Sequence, residues 1–219
     1  MKFDRIPYLT LAIWVILIGA TVFAAATRHW SNVFVIVTAL VLTVLPTLVD
    51  DRFSVKLPLS FLAAISAFVF GTLFLGEVFD FYNRYWWWDI LLHGASAAGF
   101  GVIGFLFVFY LFQGDRYDAP PWALAVFAFA FALAIGALWE IFEFGMDQIF
   151  GLNMQKSGLI DTMTDLIVDV LGAFLGAFSG FLWLKGRDGY LASWIGEFIS
   201  TNKALYQRFK PRRKDKGTK

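Results

Sequence analysis

One stretch constrains the fold more than any other: Leu159–Trp183, LIDTMTDLIVDVLGAFLGAFSGFLW. It is long and apolar enough to cross a bilayer, for which about 20 residues at 1.5 Å rise suffice. Yet it carries Asp161, Asp165 and Asp169. Carboxylates spaced by four drift only about 40° per step around a helix, so the three share one face. That face continues as Gly172, Gly176 and Gly180, a seam on which a neighbouring helix can pack closely. An acid row running into a glycine seam looks at protein, because carboxylates turned toward hydrocarbon are costly and by default mark a site. The rest of the chain must supply partners for this row.

Composition fixes the solvent. Of 219 residues 59% are hydrophobic and only 16% charged, with a mean hydropathy of +0.67, whereas a soluble domain carries about 25% charge. The expectation is an all-α, polytopic membrane protein. With no cysteine, disulfides, thiolate metal ligands and a cysteine nucleophile are excluded. Six spans meet the length rule, near 8–26, 33–49, 58–79, 90–112, 122–144 and 159–184, giving a six-helix bundle. The second is expected to end around Pro46 and Asp50-Asp51. The first, preceded by Lys2 and Arg5, is longer than a signal-peptide core and reads as a retained span. Pro58, Pro120 and Pro121 sit at span starts, where a missing N–H costs little. Trp86, Trp87 and Trp88 read as an interfacial aromatic anchor.

Basic residues set the expected orientation. With the N-terminus inside, Lys2, Arg5, Arg52, Lys56, Arg116 and ten residues from Lys185 onward face the cytoplasm, while only Arg28, Arg84 and Lys156 face out. Under the positive-inside rule both termini are cytoplasmic and the chain is a multi-pass protein of the inner (plasma) membrane. Residues 1–188 then form the transmembrane domain and 189–219 a cytoplasmic amphipathic helix with a basic tail. In that helix Trp194, Ile195, Phe198 and Ile199 recur at helical spacing, as expected for a helix lying on the inner membrane surface. The tail's charges serve first as a topology signal. They also offer anionic lipids a contact of about 1 kcal/mol per basic residue. No repeat period is present, and no nucleic-acid partner is expected.

In this topology the acids converge. Glu77, Asp80, Asp89, Glu140, Glu143, Asp147, Asp161, Asp165 and Asp169, nine of the 17 carboxylates, collect at the outer ends of four helices. Glu140, Glu143 and Asp147 fall within a sector of about 60°, and Asp89 and His93 lie about 40° apart. Small residues from Gly94 to Gly101 let the fourth span approach the glycine seam of the sixth. For Asp80, Asp89, Asp147 and Asp161, solvation at the interface and membership of a site are equally open. His93, Glu140, Glu143, Asp165 and Asp169 sit deeper, Asp169 about 12 Å below Asp161. Carboxylates crowded in a dry pocket either share protons or gather round a cation. Oxygen donors with one imidazole suit Mg²⁺, Mn²⁺, Ca²⁺ or Zn²⁺, and no organic cofactor is expected.

The expected metal ligands are Asp165, Asp169 and Glu143, with Asp89 and Asp161 near the mouth. His93 is a ligand or general acid oriented by Asp89, and Glu140 a general base or a support behind the ligands. The segments WDILLHGASAAG, WEIFEF and DTMTDLIVDVLGA resemble the YjdF-like family of bacterial inner-membrane proteins. More loosely, an Asp/His helix followed by a Glu helix and an Asp-rich Gly/Ala helix is similar to the VanZ-like group. The first resemblance implies a polytopic membrane protein. The second implies work on a lipid or glycolipid of the cell envelope, although the Glu140/Glu143 pair departs from its pattern. Two other functions fit the same acids: a proton- or cation-coupled transporter using them as a relay, and a non-catalytic scaffold using them for folding. A relay predicts polar residues continuing toward the inner face. Below Asp169 the sixth span offers glycines and phenylalanines instead.

Overall fold

Helices follow one another with short joints: α1 (Tyr8–Ala26), α2 (Trp30–Phe53), α3 (Leu59–Val69), α4 (Phe81–Arg84), α5 (Trp88–Phe112), α6 (Pro121–Phe150), α7 (Leu159–Leu184), α8 (Tyr190–Thr201) and α9 (Lys203–Gln207). The structure, a computed structural model, describes residues 6–53, 55–112 and 119–207, and contains no strand among them. Lys2, Arg5, Arg116, the side chain of Arg52 and the basic residues from Arg208 onward lie outside that description. Six helices are long and apolar enough to cross a membrane: Tyr8–Ala26, Trp30–Leu48, Leu59–Val78, Trp88–Phe112, Pro121–Phe150 and Leu159–Leu184. The protein is a six-helix membrane bundle.

Local chemistry sets the boundaries. Pro7, Pro58 and Pro120 stand just before α1, α3 and α6, and Pro121 opens α6 where no N–H is needed. Gly151 closes α6 in the left-handed conformation, its N–H bonded to Asp147 O. The helix therefore reaches Phe150, beyond the expected end at 144. The second span ends at Leu48, close to the expected 49, while the helix that carries it holds Pro46 inside and continues to Phe53. Transmembrane helices tolerate such a proline where neighbours satisfy the freed carbonyl. Beyond Val69, α3 widens into π-helical turns over Phe70–Val78.

Two apolar clusters tie the bundle together. One joins α1, α2 and the π-helical stretch through Ile13, Leu17, Ile36, Ala39 and Phe74. Polar bonds lock the same face: Thr10 donates to Ser66 Oγ at 2.9 Å and Trp14 Nε1 to Thr43 Oγ1 at 3.0 Å. The other joins α3, α5, α6 and α7 with α8 through Phe61, Phe105, Leu124, Ile195 and Phe198. Large apolar side chains stay exposed on the opposite faces, such as Ile160, Ile167 and Leu171 on α7. Lipid covers such surfaces.

The C-terminal helix forms, but its apolar face has another use than expected. Ala192, Ile195 and Phe198 are buried against the bundle, and Trp194 packs on Phe61 with ring centroids 5.8 Å apart. Protein, rather than lipid, receives that face. Asn202, at the joint of α8 and α9, fastens it. Its Oδ1 accepts the Lys56 N–H at 2.7 Å, and its Nδ2 donates to Lys56 O at 2.8 Å and Phe198 O at 2.9 Å. Asn202→Ala takes the partner from both Lys56 backbone groups at a part-buried joint, a loss of about 1–2 kcal/mol. Thermal unfolding followed by tryptophan fluorescence in detergent should show a lower midpoint, and an unchanged one would contradict this account of the docking.

Candidate metal centre

The site is built where α5, α6 and α7 close on one another. Below it, small residues bring the backbones together. A Cβ on Gly172 or Gly176 would strike Gly94 O or Ala98 O of α5, and Gly101 lies against Gly176 with equal intimacy, its would-be Cβ 2.9 Å from Gly176 Cα. Gly104 faces Ala128 of α6 in the same way. Ala97, Ala132 and Ala173, one from each helix, meet in a buried cluster. Each lies four or eight residues along its helix from His93, Asp169 or Glu140, which places this plug directly beneath the acids.

Above the plug four ionisable side chains are buried: His93 at 8% exposure, Glu140 at 4%, Asp165 at 3% and Asp169 at 1%. The imidazole is the hub. Its Nδ1 lies 3.4 Å from Asp169 Oδ1. Its Nε2 faces three carboxylates at nearly equal range, Asp89 Oδ1 and Glu140 Oε1 at 3.9 Å and Asp165 Oδ2 at 4.0 Å. Those separations are too long for hydrogen bonds. Neither oxygen of Glu140 has a partner at hydrogen-bond distance, although the Thr162 hydroxyl lies beside it, nor has Asp169 Oδ2. Asp169 is held from behind as well, since Gly136 of α6 lies so close that a Cβ there would collide with its Oδ2.

Among the described residues, two sets of donor atoms lie within 4.8 Å of one another: His93, Glu140 and Asp165, and Asp89, Asp161 and Asp165. Bonds of roughly 2.0–2.4 Å allow two ligands on one cation to stand no more than about 4–5 Å apart. Both sets meet that bound. Asp169 belongs to neither. It stands on the far side of the ring, where a carboxylate fixes the tautomer and orientation of a ligating histidine. The carboxylate at Nδ1 is thus Asp169, where Asp89 was expected, and Asp89 faces Nε2 instead. Glu140 is aimed at the Nε2 side too, among the ligand atoms.

Glu143 lies outside both sets. It is half-buried and accepts a hydrogen bond from Trp139 Nε1 at 3.1 Å. Asp147 organises the loop after α6, accepting from the N–H of Met154 at 2.7 Å and of Gln155 at 2.9 Å. Asp80 bonds Asn83 at 2.6 Å beside α4. Of the three tryptophans at the start of α5, Trp86 is 82% exposed as an anchor should be. Trp88 instead turns inward, its indole N–H buried without a partner.

Lys156 and Tyr82 are the residues that sequence reasoning missed. Lys156 Nζ donates to Tyr82 O at 3.0 Å and to Asp89 Oδ2 at 3.4 Å, and lies 4.6 Å from the centre of the Tyr82 ring. Its backbone N–H donates to Asp161 Oδ2 at 3.1 Å. Burial, then the charges of Asp89, Glu77 and Glu143, push the Tyr82 phenol above its ordinary range, so it stays neutral. Gly76 makes room for that ring. The signal available in the sequence was the scarcity of basic residues near so many acids, which made Lys156 conspicuous.

The profile of a family described as "Predicted membrane protein (DUF2238)" matches residues 8–186, a range that holds all six spans and the whole cluster. The chain belongs to this family. An uncharacterised protein of Thermotoga maritima is 37% identical to this DUF2238 protein over 111 residues, which is 50% of this chain and 56% of that relative. The match thus spans little more than half of the relative's length. No solved structure matches.

Proposed function

We propose that this DUF2238 protein holds a divalent cation in the α5–α6–α7 cluster. The cation, open to the outer face of the inner membrane, would engage headgroup oxygens of a phosphate- or glycan-bearing lipid of the cell envelope. One observation carries the reading: Glu140 is 4% exposed, both its oxygens lack a partner at hydrogen-bond distance, and it points at His93 Nε2 beside Asp165. A buried carboxylate without partners is expensive, and a cation removes that cost. One imidazole among carboxylates suits Mn²⁺ or Zn²⁺ ahead of Mg²⁺ and Ca²⁺.

The mouth supports access from one end. Asp89 and Lys156 are a quarter or more exposed while Asp165 and Asp169 are sealed. The alanine plug and Phe105 below favour a one-sided site over a relay running through the membrane. The outward orientation follows from the distribution of Lys and Arg. The lipid headgroup follows from the looser likeness to VanZ-like proteins, and the family match accords with the YjdF-like resemblance. A bound cation would polarise a phosphoryl or ester oxygen. The chain's own part is to hold donors in place, with Asp169 fixing the His93 ring.

Mn²⁺ titration of the purified full chain by calorimetry tests the cation. Saturable binding is expected, weakened at least about tenfold in Glu140→Gln. An identical isotherm for the variant would reject Glu140 as a ligand. A panel of labelled envelope lipids, incubated with and without chelator, tests the substrate class: metal-dependent binding or turnover is expected, and none would reject it.

A further inference from the structure

We infer that the centre is built for two cations sharing Asp165. The inference rests on the cation site proposed above and adds a second ion to it. Asp165 is the one residue common to both sets of converging donor atoms, the first completed by His93 and Glu140 and the second by Asp89 and Asp161. A carboxylate has two oxygens and can bridge ions about 3.5–4 Å apart, the spacing of two-metal sites that clamp phosphoryl oxygens. The two sides differ in depth. His93 and Glu140 are buried, whereas Asp89 and Asp161 are partly exposed, which makes the first position deep and the second accessible from the mouth.

Charge points the same way. Asp89, Glu140, Asp161, Asp165 and Asp169 bring five carboxylates to one place, and Lys156 is the lysine among them. A ligating imidazole is neutral, so with all five carboxylates ionised one divalent ion leaves this group negative and two bring it to balance. The Glu140 oxygens, without a partner at hydrogen-bond distance and aimed into the cluster, mark the deep position, and the second position stands on Asp165 being shared. Lys156 reaches the second position from its rim: its ammonium is 3.4 Å from Asp89 Oδ2 and its N–H bonds Asp161 Oδ2. It is a tethered single charge beside the place of the second ion and competes with it.

Mn²⁺ bound per chain, measured by elemental analysis of the full-length protein after saturation and desalting, distinguishes the readings. Two ions, with an exchange-coupled electron paramagnetic resonance spectrum, are expected for the wild type. Asp161→Asn, a change at the mouth, should retain one ion and give an uncoupled six-line spectrum. Asp165→Asn should lose both, and Lys156→Gln should tighten the second ion alone. One ion in the wild type, untouched by Asp161→Asn, overturns the shared site and leaves the single-cation reading standing. Two ions retained by Asp161→Asn also overturn it. No ion in the wild type overturns both.

Discussion

His93→Ala should be the most damaging single substitution in the site, lowering cation affinity by at least about a hundredfold and destabilising the fold by about 3–5 kcal/mol. Every buried carboxylate of the cluster is arranged round that ring. Nδ1 serves Asp169 and Nε2 faces Asp89, Glu140 and Asp165. Removing the imidazole takes away the proposed ligand and the neighbour of Asp169 together, and leaves acids in a sealed space with nothing between them. Thermal unfolding in detergent, with and without Mn²⁺, measures both effects. The variant should melt lower than the wild type and gain little from the ion. A variant as stable as the wild type and stabilised equally by Mn²⁺ would show that the ring is not the hub.

Gly176→Val should be the second large effect, and it acts through helix packing. A Cβ there meets Ala98 O and the Cα of Gly101, backbone atoms that no rotamer change can move aside. Overpacking a tight core costs about 1–3 kcal/mol, and a backbone-to-backbone clash belongs at the upper end. Because α5 and α7 carry His93 and Asp165, separating them also loosens the cluster. Gly99, two residues from Gly101 on the same helix, has open space around it. Gly99→Ala should therefore be neutral or gain up to about 1 kcal/mol from helix propensity. Size-exclusion profiles and unfolding midpoints of the two variants should diverge. Similar behaviour would mean that the glycine seam is not a packing surface.

Much of this arrangement was legible because a helix converts spacing into direction. Asp165, Asp169 and the glycines below them were bound to share a face, and His93 followed from the small residues after it. Periodicity does not say how one helix is turned relative to another. It grouped Glu140, Glu143 and Asp147, and packing then sent them to three different tasks: the cluster, Trp139 and the loop. For the same reason it could not choose Asp169 over Asp89 as the carboxylate behind the ring. Lys156 lay in a loop without period, and its place depends on Asp147 folding that loop back. The apolar stripe of α8 was correctly read as a stripe, but composition alone does not distinguish a lipid surface from the end of a bundle.

The central claim is that buried acids drawn from three helices meet because a cation sits among them. An experimental map of the full-length protein prepared with Mn²⁺, with anomalous or difference density examined at the cluster, tests it most directly. The account predicts a peak roughly 2.0–2.4 Å from His93 Nε2, Glu140 and Asp165. A map with those three side chains in the same places, saturating Mn²⁺ in the sample and no density between them would contradict it.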